Sequence, residues 1–421
     1  MEIGHSHDSP PLKTPVRVQR LLAATIGPLV LGTIVAAIVL WPPAEPSGIQ
    51  APASSQLERY SATVIEIEPT VCDLNLITEG QGCSVVRVRV DEGPDTGDIV
   101  FLPTAGPSDE ELFTAGDAIL INYSPEAPAD QRYTFSDFQR GPPLLVLGAV
   151  FAAVVVALSR WKGLAALAGL LISLLILTRF VMAAILEGSN PVAVVVTGGA
   201  MIMFVTLYLA HGFNALTSTA LLGTLISLLL TGLLAFLFVE FGNFTGLASE
   251  EALFLQISAD QVNLKGVLLG GIIIGALGVL DDVTVTQASA VWELHMANPK
   301  MSLWDLYRSA LRIGRDHIAS TVNTLVLAYA GSSLPLLVLF AVSNQSVGQT
   351  LNGEVVAEEI VRTGVGSIGL VASVPVTTLL AAWVLTAKSD DTLKKEPSRR
   401  AERTSSKRSY QVPRAEQEWR T

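Results

Sequence analysis

About eight stretches of some 20 apolar residues, almost free of charge, constrain this chain more than any other feature. A helix of that length crosses the ~30 Å hydrocarbon core of a bilayer. The runs are Leu21 to Trp41, Pro142 to Leu158, Leu164 to Ile185, Pro191 to Leu209, Leu216 to Val239, Leu264 to about Thr286, Ile318 to Val342 and Val365 to Ala387. Composition agrees. Of 421 residues, 50% are hydrophobic and only 15% charged, against about a quarter charged in a soluble domain. Mean hydropathy is +0.49. The expected fold class is an α-helical polytopic membrane protein.

Charge sets the orientation. The net charge of −11 conceals an acidic block over 42–140 and a basic tail from 388 onward. Lys13, Arg17 and Arg20 precede the first run, which is too long for the core of a cleaved signal peptide. Residues 1–20 are therefore expected in the cytoplasm, with 21–41 as an uncleaved first helix. The positive-inside rule then puts Arg160-Trp161-Lys162, the turn from His211 to Asn214, the stretch from Glu293 to Asp316 and the tail in the cytoplasm. The outer connections, Glu187 to Asn190, Phe241 to Asn263 and Ser343 to Arg362, are acidic or neutral. Both termini are expected inside, 42–140 outside the cytoplasm, and 142–387 as a seven-helix transmembrane domain. The tail, 388–421, is expected to be disordered, serving as a topology anchor or lying on anionic headgroups.

Residues 57–137 alternate apolar and polar positions, as in Ser61-Ala-Thr-Val-Ile-Glu-Ile67 and Cys83-Ser-Val-Val-Arg-Val-Arg-Val90, which predicts strands. Gly97-Asp98 and Gly116-Asp117 read as tight turns entering strands. A small all-β domain, OB-like or a barrel, is expected between the first and second helices. Its acidity and its lack of a basic aromatic face exclude nucleic-acid binding, leaving a structural or partner-docking role. Cys72 and Cys83 form a disulfide if this domain is extracytoplasmic, and two buried thiols otherwise. No metal site is expected.

An ionisable group within a span is expensive and marks a functional hypothesis. The segment from Gly275 to Ser289 holds the strongest candidates, Asp281 and Asp282, followed by Thr284, Thr286, Gln287 and Ser289. On a continuous helix Asp282, Thr286, Ser289 and Glu293 form one stripe whose oxygens suit hard cations or protons. Three readings stay open: a transport site at a helix break, favoured by β-branched Val283 to Thr286; N-capping of a following helix near the cytoplasmic edge; and helix packing. His211 and Asn323 are further pathway candidates. Arg179 is expected to snorkel to the interface. Arg308, Arg312 and Arg315 form the polar face of a short amphipathic helix directed at lipid headgroups. Glycines 266, 270, 271, 275 and 278 predict close helix packing.

Neither a phosphate-binding loop, a His-Glu-x-x-His pattern nor a nucleophile elbow occurs, so no enzyme activity and no cofactor are expected. The segments Arg160-Trp-Lys-Gly163, Gly246-Leu-Ala-Ser-Glu-Glu-Ala252, Gly275 to Leu294, Arg312 to Ile318 and Gly364 to Pro375 resemble the YibE/F family of bacterial multi-pass membrane proteins, over about residues 57 to 388. The resemblance implies an extracytoplasmic N-terminal domain, an inner-membrane location and an aspartate kept at the Asp282 position, with Asp281 apolar in some members. It implies no substrate. Two functions are expected from this reading: a secondary transporter or permease for a small ion or solute centred on Asp282, or a non-transporting scaffold whose outer β domain binds a protein partner.

Overall fold

The structure, a computed structural model, describes residues 16–43, 58–70, 83–105, 113–128, 131–342 and 346–387. The tail 388–421 and Cys72 lie outside them, as does the side chain of Cys83, so the disulfide expectation falls outside the described residues. The chain forms two compact units. One gathers Met1–Val39, Val195–Phe244 and Leu268–Thr421; the other holds Leu40–Val194 and Thr245–Val267.

The second unit carries the β domain. Five strands, β1 (Glu58–Thr70), β2 (Cys83–Val90), β3 (Ile99–Ala105), β4 (Ala118–Tyr123) and β5 (Tyr133–Phe138), pair antiparallel in the order β3-β2-β1-β4-β5. β1 is central and long enough to pair along both edges, with a bulge between Val64 and Glu66 that re-aims the strand. Alternation buries Ala62, Val64, Val86, Val88, Leu102, Ile119 and Ile121 on one face. Phe113, Phe135 and Phe138 close that core, with ring centroids 5.0 to 5.5 Å apart. The two Gly-Asp pairs enter β3 and β4 as expected, with Gly97 and Gly116 at φ 94° and 99°.

The helices are α1 (Val16–Val39), α2 (Gly141–Leu186), α3 (Pro191–His211), α4 (Ala215–Phe241), α5 (Glu250–Ser258), α6 (Leu264–Ala297), α7 (Leu303–Ser332), α8 (Leu334–Val342), α9 (Val347–Asn352) and α10 (Glu354–Thr386). Six of them have the length and apolarity to cross a membrane, or seven if the bent pair α7–α8 counts as one span. Their outward surfaces are apolar: Leu145 is 75% exposed and Leu158 81%. Such patches are stable against lipid rather than water.

The count falls below the expected eight because two expected runs are joined in α2. Its 46 residues would make a straight rod of about 69 Å at 1.5 Å per residue, twice the bilayer core. The rod is interrupted at Arg160, with φ 51° and ψ −126°. Beyond it, a Cβ on Gly163 would lie 2.5 Å from the Val155 carbonyl oxygen. In a straight helix eight residues separate by about 12 Å, so the chain bends sharply here. Residues Leu177–Met182 then adopt one π-helical segment.

Two expectations about later helices are corrected. α6 runs unbroken through Asp281 and Asp282, so the site is neither at a helix break nor at the N-cap of a following helix. Burial of Val283 and Thr284 outweighs the weak helix propensity of β-branched residues. Arg308, Arg312 and Arg315 likewise do not form a separate interfacial helix. They lie within α7, which starts on a Ser302 cap accepting from the Asp305 amide and continues into the expected seventh span. That span bends by 61° where α7 meets α8, because Pro335 has no N–H for the Gly331 carbonyl.

Candidate functional site

α6 presents Leu280, Val283, Thr284, Gln287, Ala288 and Val291 to the interior at steps of three and four, all buried. Two of these are polar, and both are bonded across helices. Thr284 Oγ1 lies 2.5 Å from Thr224 Oγ1 on α4 and also donates to the Asp281 carbonyl at 3.1 Å. Gln287 Nε2 donates to Thr378 Oγ1 on α10 at 2.7 Å and to the Ala310 carbonyl on α7 at 3.0 Å. Thr378 in turn donates to the Val374 carbonyl at 2.6 Å. One glutamine amide thus ties three helices together, using both of its hydrogens.

The two carboxylates differ in environment. Asp282 is exposed and Asp281 half-buried. The Oδ1 oxygen of Asp281 is sealed from solvent with no hydrogen-bond partner among the described residues. Thr224 meets Thr284, and eight residues further along α4, Gly232 faces Ile273, whose Cδ1 would be 3.5 Å from a Cβ there. The two helices therefore run antiparallel, and Asp281 stands level with Ser227, halfway along α4. α6 itself continues past the expected end of its span, to Ala297.

The remaining candidates separate. Thr286 is exposed and Ser289 half-buried, on the face away from the Thr284–Gln287 network. Asn323 and His211 are exposed. The His211 carbonyl accepts from Asn214 Nδ2 at 2.8 Å in the cap of α4. Arg308, Arg312 and Arg315 are exposed along α7 and line a surface cleft with Asp305 and Ser309. Among the described residues no group of three or more His, Cys, Asp or Glu side chains could hold a metal ion.

Residues missed at the sequence level lie on the partner helices. Thr224, Ser227 and Thr231 on α4 and Ser373, Thr377 and Thr378 on α10 are all fully buried. Hydroxyls at steps of three and four within leucine-rich runs were the available signal. On α10, Thr377 Oγ1 is buried without a hydrogen-bond partner among the described residues.

Residues 147–387 match the family model described as YibE/F-like protein. The β domain lies ahead of the matched region, which is narrower than the resemblance drawn from the motifs. No curated protein matches the chain, and no solved structure does.

Proposed function

The chain belongs to the YibE/F-like family, and from that premise we propose that it is a secondary transporter or permease for a small cation, protons included, with Asp281 as the coordinating carboxylate. The observation that carries this reading is the buried, unpartnered Oδ1 of Asp281, halfway along a membrane helix. A carboxylate oxygen withdrawn from water costs several kcal/mol unless neutralised by a proton, a cation or a partner. Among the described residues no protein group supplies that. The buried hydroxyl of Thr284 and amide of Gln287 fix the adjoining turns against α4, α7 and α10. Asp282 flanks the site from the exposed side of α6, which is why the first choice passes from it to Asp281. Catalytic chemistry has no place in this reading.

The proposal includes an eight-span topology. The sharp break at Arg160 supports counting α2 as two spans, and α7 with α8 counts as one. The basic loop around Arg160 and Lys162 then faces the cytoplasm with both termini, and the β domain stands outside. The strand order, with β3 approaching β5, supports an OB-like barrel there. Ile99 and Phe101, 48% and 56% exposed on β3, favour a second reading in which this domain docks a protein partner.

Proteoliposomes loaded with a pH-sensitive dye, and parallel sodium and potassium flux assays, test the first reading. Asp281→Asn is expected to bring flux to the protein-free background, and Asp282→Asn to reduce it less. Flux unaltered by Asp281→Asn would remove that carboxylate from the mechanism. Deleting residues 57–137 tests the second: a co-purifying protein lost while flux persists identifies the domain as a docking module. A wild-type chain without flux under any gradient leaves the scaffold.

A further inference from the structure

α4 and α10 meet through the same side chains in the same order. α4 reads Gly223-Thr-Leu-Ile-Ser227-Leu-Leu-Leu-Thr231-Gly-Leu-Leu-Ala235, and α10 reads Gly369-Leu-Val-Ala-Ser373-Val-Pro-Val-Thr377-Thr-Leu-Leu-Ala381. The glycine, serine, threonine, leucine pair and alanine recur at identical spacing. Their contacts are reciprocal. A Cβ on Gly223 would lie 3.1 Å from Thr377 Cβ and 3.2 Å from its Cγ2, and a Cβ on Gly369 would lie 3.1 Å and 3.2 Å from the same atoms of Thr231. The helices are therefore antiparallel, and exchanging the two segments maps their contact onto itself. That is the property of an interface built on a twofold axis, here passing between Ser227 and Ser373.

Close packing alone selects small residues, which leaves the matching leucines and alanine unexplained. It also leaves two further matches. α3 carries Thr206-Leu-Tyr-Leu-Ala210 where α7 carries Thr324-Leu-Val-Leu-Ala328. Each of these helices also sets a glycine beside the crossing, in registers three positions apart: a Cβ on Gly199 of α3 would come 3.5 Å from Leu277 and 3.9 Å from Leu228, and one on Gly314 of α7 would come 2.5 Å from Val374. Leu228 and Val374 are equivalent, each following the repeated serine. In sequence, the second half of α2 has Lys162-Gly163, Leu174 and Leu177 where α6 has Lys265-Gly266, Leu277 and Leu280. Three helices thus recur in the same order.

We propose that residues 162–386 comprise two copies of one three-span unit with inverted topology, related by a twofold axis in the membrane plane through the Ser227–Ser373 crossing, and that this axis exposes the Asp281 site to one face of the membrane at a time. Three is an odd number, so a second copy enters the membrane from the opposite side, the arrangement that supports alternating access about a central site. Asp281, level with Ser227, stands at the depth of the axis. Its counterpart in the first unit is Thr178, and that of Asp282 is Arg179, so the carboxylate pair occurs once and the protein has one such site. The inversion stands on the repeat alone; the alternation rests on the transport reading.

The wild-type chain tests the inversion through its own lysines. A membrane-impermeant amine-reactive ester is applied to intact cells and to inverted membrane vesicles, and modified lysines are read by mass spectrometry. Lys265 is expected to react only in intact cells, and Lys162 and Lys300 only in inverted vesicles. Lys162 and Lys265 reacting from the same side would overturn the inverted repeat, whatever the flux assays show. Alternation is tested at the thiol of Asp281→Cys in a chain carrying Cys72→Ser and Cys83→Ser, using an impermeant maleimide. Gly223→Ala and Gly369→Ala place one methyl at equivalent points and are expected to shift that thiol's labelling toward opposite faces. A shift toward the same face, or none, would end the alternating-access proposal while leaving the repeat intact.

Discussion

Gly314 and Gly331 share α7, and a methyl group added to each meets opposite conditions. At Gly314 a Cβ would lie 2.5 Å from Val374 Cγ1 and 2.7 Å from Gln287 Oε1, whereas at Gly331 it would meet nothing within 4 Å. Overpacking of a filled interior costs about 1–3 kcal/mol, so Gly314→Ala is expected to lower the thermal transition in detergent. Gly331→Ala exchanges a poor helix former for a good one, worth up to about 1 kcal/mol, and should leave the transition unchanged or raise it. Equal losses in the two variants would mean that the α6–α7–α10 contact is looser than described. The carboxylates teach a related lesson. Asp281 and Asp282 are adjacent in sequence and alike in chemistry, so spacing on α6 alone separated them only by angle. What distinguishes them is burial: the packed helices seal one oxygen of Asp281 and leave Asp282 exposed.

Among the elements, α2 carries the least favourable backbone conformation. Arg160 holds φ 51°, a region natural to glycine, and such positions cost on the order of 1–3 kcal/mol. Arg160→Gly is expected to stabilise the protein slightly in thermal melts, provided the helical content is preserved. Gly163→Ala is expected to do the reverse, because its methyl would strike the Val155 carbonyl. A stabilising Gly163→Ala would refute the sharp bend. The apolar runs that form α1, α3, α4, α6 and α10 were legible because burial in lipid selects composition locally, residue by residue. Helix ends were less so. α6 and α10 each extend well past the expected span, since a helix continues through polar sequence wherever caps and packing allow. The bend between α7 and α8 was written in Pro335, which falls within an unbroken apolar run.

At the scale of the molecule, the β domain has a core built from residues between 60 and 138, with Leu102 fully buried in it. Leu102→Ala is expected to destabilise that core by about 2–5 kcal/mol. Limited proteolysis of the intact, detergent-solubilised protein should then cut within 58–138 sooner, while a fragment spanning 141–387 persists at the wild-type rate. Accelerated loss of both fragments together would show that the helices depend on the β core. The sequence by itself determined that the chain crosses a membrane many times, that strands alternate between its first two helices, and that the segment after Gly275 is unusually polar. These follow from hydrophobic periodicity, which acts over a few neighbouring residues. Only the tertiary structure decided that α6 is continuous, that Asp281 rather than Asp282 hides an oxygen, and that Thr224 and Thr378 complete the polar network. Those outcomes depend on helices distant along the chain being brought together, where a hydroxyl's partner is set by packing and no local pattern records it.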